Sequence, residues 1–143
     1  MITLGDYFGR WVNHVDATPE RRANAENLLA ALATFEAALL LADIDLPTNP
    51  ITKSCVSGAS YGGFRPQICP VGADHSAHKD GLACDLYDPD GKVDQYIDTF
   101  TLRLGGNSLL EECGLYREAP ASTPGWCHLS IKAPPSGRRT FQP

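Results

Sequence analysis

Between Ala25 and Leu39 the apolar positions Ala25, Leu28, Leu29, Leu32, Phe35, Ala38 and Leu39 recur every three or four residues. That spacing predicts one long amphipathic helix ending near Ala42. Thr18 stands where an N-cap belongs, Pro19 at the first helical position and Glu20 in the first turn. Residues 1–17 are polar with scattered aromatics (Tyr7, Phe8, Trp11) and read as a short leading helix or arm. The helical pattern breaks after Leu46, at Pro47, Asn49 and Pro50. Residues 51–61 then mix β-branched and small side chains, and Gly58, Gly62 and Gly63 mark a turn or a close backbone approach.

A loop rich in proline and glycine follows Phe64-Arg65-Pro66 and reaches about Ser76. Residues 82–87 are apolar enough for a short strand, closed by the turn Asp88-Pro89-Asp90-Gly91. Val93, Tyr96, Ile97, Phe100 and Leu104 return to helical spacing, and a second short helix over 108–113 is stopped by Gly114. Residues 115–118 and 126–131 read as two strands joined by the loop 119–125, and the tail is irregular. The expected architecture is a single α+β domain over 1–143. It is helical to about residue 45, and a small antiparallel sheet over about 51–131 carries the chemistry.

Composition narrows the function. The net charge of −5 carries no basic run, which argues against a nucleic-acid binder. The longest apolar run, residues 37–42, falls far short of the roughly 20 residues of a membrane span. Met1 to Asp6 shows neither the basic nor the apolar region of a secretory signal. Five cysteines (Cys55, Cys69, Cys84, Cys113, Cys127) cannot all pair within one chain. Reduced thiols in a cytoplasmic monomer are therefore expected, with a Cys55–Cys69 pair formed after export as the alternative.

The candidate chemistry lies in His78, Asp85 and His128. Two imidazoles and a carboxylate are a common catalytic zinc set, with the fourth position left for water. The bland alternative puts His78 on a polar loop, Asp85 at a turn and His128 in a packed strand. Asp85 is expected on the strand that follows the His78 loop, and Trp126, His128 and Ser130 on one face of the last strand. Cys84 and Cys127 alternate away from that face and read as buried small hydrophobes, the alternative being ligands of a structural zinc site. His75 reads as a loop residue with no role, the alternative being an outer-shell or substrate group.

The fuller pattern Ser76-x-His78-x-x-Gly81-x-Ala83-x-Asp85, with Trp126-x-His128, resembles the zinc peptidases of the D-alanyl-D-alanine carboxypeptidase and dipeptidase type. That family shares its fold with the hedgehog signalling domain and includes phage endolysins. The resemblance covers about residues 55–131 and implies zinc on His78, Asp85 and His128. Ser57-Gly58-x-x-Tyr61-Gly62-Gly63-Phe64-Arg65-Pro66 looks like an expanded form of the family's Ser-Gly-Tyr-Arg segment. It implies that Arg65 contacts substrate or the developing oxyanion; the alternative is a surface ion pair or a fold-stabilising contact to backbone carbonyls. Arg65, Ser76, Tyr116 and Trp126 are the candidate substrate-binding residues.

The pattern departs from the family at the general base. The family's carboxylate three residues before the second histidine is Gly125 here, and the alternative two residues after it is Ser130. A hairpin turning near Ser122 would set Tyr116 opposite His128 and Glu118 opposite Trp126, on one sheet face. Glu118 is thus the candidate base, ahead of Glu111 and Glu112. The resemblance implies a peptidase cutting peptidoglycan stem peptides, of the D-Ala-D-Ala carboxypeptidase or L-Ala-D-Glu endopeptidase type. It would be a phage lysis enzyme held in the cytoplasm until released to the cell wall. The alternatives are a non-catalytic zinc-binding wall or virion module and a cytoplasmic D-Ala-D-Ala dipeptidase.

Overall fold

In the computed structural model, which describes residues 1–103 and 108–143, the long helix α2 spans Pro19–Leu40. The Thr18 hydroxyl accepts the Arg21 amide at its start, as the cap pattern requires. Ala25, Leu28, Leu32, Phe35 and Leu39 form its buried stripe. The helix stops two residues before the expected Ala42. The Ala42 and Asp43 amides turn back three residues to Leu39 and Leu40, and Asp43 adopts a φ of 57°. Glu36, also on the stripe, is buried and accepts the Ile2 amide at 3.1 Å.

The leading segment forms α1, Leu4–Phe8, followed by a single 3-10 turn. Thr3 and Asp6 cap α1 reciprocally, and Tyr7 and Phe8 are buried. The Tyr7 hydroxyl donates to the Ala83 carbonyl at 3.0 Å, and the Phe8 ring packs on Phe64 with centroids 4.9 Å apart. These contacts tie the arm to the segment that carries the site.

The sheet contains β1 (Ala83–Tyr87), β2 (Tyr116–Glu118), β3 (Trp126–Ser130) and β4 (Thr140–Phe141), in the spatial order β1-β3-β2-β4. The first three strands are antiparallel, as expected. The tail, expected to be irregular, adds β4 parallel to β2, so the sheet is mixed. The Arg117 amide donates to the Arg139 carbonyl and the Ala119 amide to the Phe141 carbonyl, satisfying the open edge of β2. Helix α3, Lys92–Arg103, starts where Asp88 accepts the Val93 and Asp94 amides; Leu104, assigned to it from the spacing, lies outside the described residues. Helix α4, Leu109–Glu112, is capped by Ser108, and Gly114 follows it at a φ of 69°.

The core lies between α2 and one face of this sheet. Cys84, Leu86, Cys127 and Leu129 alternate onto that face and are fully buried. The protein is thus an α+β fold, with the other sheet face left for the candidate site. Residues 51–61 make turns and one isolated bridge, Val56 to Leu86.

Candidate metal centre

The three candidate ligands come from two strands and one loop. Asp85 on β1 and His128 on β3 are direct partners across the antiparallel pair, so both side chains leave the same face of the sheet. His78 arrives from the preceding loop, which is held by backbone packing. The Phe64 amide donates to the Tyr7 carbonyl, and a Cβ at Gly63 would lie 1.9 Å from that same oxygen. Gly81, at a φ of 78°, brings the far end of the loop against α2, where a Cβ would stand 2.5 Å from the Arg21 carbonyl. Side chains at either glycine would push the loop off its supports.

The Gly63 carbonyl lies 2.8 Å from His78 Nδ1. A carbonyl can only accept, so Nδ1 carries the proton and Nε2 presents its lone pair to the cluster. His78 Nε2 stands 3.3 Å from Asp85 Oδ1 and 3.3 Å from His128 Nδ1, and His128 Nδ1 stands 2.7 Å from Asp85 Oδ1. A tetrahedral zinc with bonds of about 2.0–2.1 Å has donor–donor edges of about 3.3–3.4 Å. Two of the three edges match. The third, at 2.7 Å, is a hydrogen bond between His128 and Asp85. Two imidazoles and a carboxylate converging in this way could hold a metal ion. Among the described residues, no other group of three such side chains does so.

Asp85 is 6% exposed. Burial alone would push its carboxyl up. The adjacent His78 and His128, in their protonated forms, outweigh that and hold it well below the usual carboxylate range. Its second oxygen, Oδ2, accepts from Arg65 Nη2 at 2.9 Å, while Arg65 Nε donates to the Tyr61 carbonyl at 2.6 Å. Arg65, read from the sequence as a substrate or oxyanion contact, therefore commits two of its nitrogens to the scaffold. Nη1 remains, and the residue lines the cleft above the triad.

That cleft encloses about 770 Å³ and takes in Ser76, Glu118 and Trp126 along with the triad. The β2–β3 register differs from the expected hairpin by two residues. Tyr116 pairs with Ser130 and Arg117 with Leu129, so the same register sets Glu118 across from His128. The shift arises in the connection, where a 3-10 turn at Pro120–Ser122 precedes Gly125 at a φ of 93°. A two-residue shift preserves the face, so Glu118 stays on the His128 side and comes closer than expected. Its carboxylate is half-buried and has no hydrogen bond or ion pair among the described residues.

Tyr116 does not line the cleft, and its ring lies under the Arg139 guanidinium at 4.4 Å. Glu111 closes the capping box of α4, Glu112 is exposed, and neither lines the cleft. All five cysteines are free, Cys55 and Cys69 included. Burial pushes the Cys84 and Cys127 thiols well up, which suits packing and not metal ligation. Sequence reasoning missed the cleft's rim: His75 lines it, as do Lys132, Pro134, Pro135 and Phe141 from the tail. The Phe141 ring stands edge-on to His128 at 6.5 Å. A two-residue strand leaves no periodicity from which to find it.

No known protein family, curated protein or solved structure matches this chain.

Proposed function

We propose that this protein is a zinc peptidase that cleaves peptidoglycan stem peptides, a lysis enzyme held in the cytoplasm until it is released to the cell wall. The observation that carries the reading is a free carboxylate, Glu118, across the strand from His128 in a cleft that also holds the His78–Asp85–His128 cluster. Two nitrogens and one carboxylate oxygen suit zinc, and the motif's resemblance to zinc peptidases of cell-wall peptides points the same way.

His78, Asp85 and His128 would hold the zinc, which would supply Lewis-acid polarisation of the scissile carbonyl and an acidified water. The protein's own groups do the rest. Glu118 accepts the proton of the attacking water and returns it to the leaving amine nitrogen as the C–N bond breaks. Arg65 Nη2 holds Asp85 in place, and Nη1 is the donor left for a substrate oxygen. His78 is kept in its ligating tautomer by Gly63. Trp126 and Ser76 line the same cleft.

A non-catalytic zinc module is the second reading, favoured by Gly125 at the family's usual base position. A zymogram on purified peptidoglycan separates the two, run with and without chelator and zinc restoration and followed by mass analysis of the fragments. Clearing that disappears with chelator and returns with zinc is expected. Clearing indifferent to chelator sinks the metal reading, and zinc binding without clearing supports the module. Glu118→Gln is expected to lower turnover about 10²- to 10⁴-fold with zinc content unchanged. Near-normal turnover would remove Glu118 from the mechanism.

A further inference from the structure

The cleft has an uneven charge that bears on what it admits. Glu118 stands on the β2 side of His128. On the other side, just past the end of β3, Lys132 reaches the rim beside the His75 loop. The backbone there is fixed: the Lys132 amide donates to Ser130 Oγ at 2.9 Å, and that hydroxyl donates to the Leu82 carbonyl at 3.0 Å. Lys132 follows the last residue of β3, Ser130, in a bend and lines the cleft.

Its ammonium is well placed but loosely held. Asp80 Oδ2 lies 3.7 Å from Nζ and the His75 carbonyl oxygen 3.5 Å, both longer than a good hydrogen bond. The Lys132 and Asp80 side chains are 45% and 39% exposed, so their mutual attraction is weak and screened. Arg65, the other cation of the cleft, is tied to Asp85 and Tyr61. An anion entering the cleft is therefore repelled at the Glu118 end and meets an available ammonium at the other.

We propose that Lys132 is the specificity-determining residue of this cleft, selecting peptides that carry a carboxylate and orienting them with that carboxylate away from Glu118. The proposal rests on the peptide-substrate reading above and assigns no part in bond cleavage to Lys132. The shared chemistry is a peptide carboxylate, whose source is either the terminal α-carboxylate or an acidic side chain.

Binding is measured on the full zinc-loaded chain by tryptophan fluorescence and calorimetry. The probes are a stem pentapeptide, its C-terminal amide, and the analogue with D-Gln in place of D-Glu. One amidation is expected to weaken binding about five- to tenfold and thereby name the source. Lys132→Met should abolish the difference, and Lys132→Arg should keep it. Zinc content and melting temperature should stay within error in both variants, since the side chain is 45% exposed and its contacts to Asp80 and His75 are long. Equal binding of all three peptides overturns the proposal, as does a preference that survives Lys132→Met. Cleavage is scored separately. Carboxylate-selective binding that depends on Lys132, without hydrolysis, keeps this inference and removes the catalytic reading. A chain that binds none of the peptides overturns both.

Discussion

The two faces of the sheet each set an arginine against a buried aspartate, and the two pairs are electrostatically opposite. On the cleft face, Asp85 meets His78, His128 and Arg65, and its carboxyl is held well below the usual range. On the other face, Arg117 bonds the Asp94 carbonyl and Oδ1, reaches Asp98 Oδ1 at 2.5 Å, and contacts Thr140 Oγ1 at 3.3 Å. Yet burial pushes the Asp94 carboxyl up despite the arginine, with the Asp88 carboxylate adding to the effect. The number and sign of the partners decide between the two. Three cationic or proton-bearing groups converge on Asp85 alone, whereas Asp94 shares one guanidinium with Asp98 and has another acid beside it. The cleft face concentrates negative charge where a cation can use it, and the core face uses charge to stitch β2 to α3 and β4.

The sharpest way to break this contrast is to neutralise each acid. On the zinc reading proposed above, Asp85→Asn removes a ligand and is expected to weaken zinc binding by at least about 100-fold in chelator competition, more than loss of a supporting residue does. Asp94→Asn should leave zinc affinity unchanged. Equal losses would mean that the two faces are not separate. The arginines come next. Arg117→Met leaves Asp94 buried without its partner and is expected to cost about 3–5 kcal/mol in denaturant unfolding. Zinc affinity of the folded fraction should be intact. Arg65→Met is expected to do the reverse, weakening zinc binding about 10- to 100-fold through a loosened Asp85.

The alternation that separates the faces was legible in the sequence; its register and its outer wall were not. The placing of Asp85 and His128 on one face and Cys84 and Cys127 on the other follows from period two, which survives an error of two residues. That is why the hairpin register could be misplaced while Glu118 stayed beside His128. The long helix was readable from its stripe and cap because both are local. Arg65 shows the limit. Its motif marked it as functional, but a buried ion pair with Asp85 depends on two segments 20 residues apart meeting in space. Strand β4 and the Lys132 rim escaped for the same reason: two-residue pairing and a side chain's neighbours are tertiary facts.

The smallest expected effect, and the most direct measure of the contrast, is the pH dependence of stability in the metal-free protein. Asp85 has a folded pKa below its unfolded value of about 3.9. Its ionised form therefore contributes stability above about pH 4, and that contribution is lost as pH falls toward the lower folded value. Asp94 has a folded pKa above its unfolded value, so its burial weakens the fold progressively as pH rises above about 4. Unfolding free energies of wild type, Asp85→Asn and Asp94→Asn should then be compared at pH 3 and pH 7 in chelator. The penalty of Asp85→Asn should grow with pH, because the wild type gains what the variant lacks. The penalty of Asp94→Asn should shrink over the same interval, because the variant escapes a cost that the wild type incurs. Opposite slopes would establish that the two faces hold their aspartates in opposite electrostatic states. Slopes of the same sign would mean that Arg117 outweighs burial at Asp94, and that the core pair differs from the cleft pair in position alone.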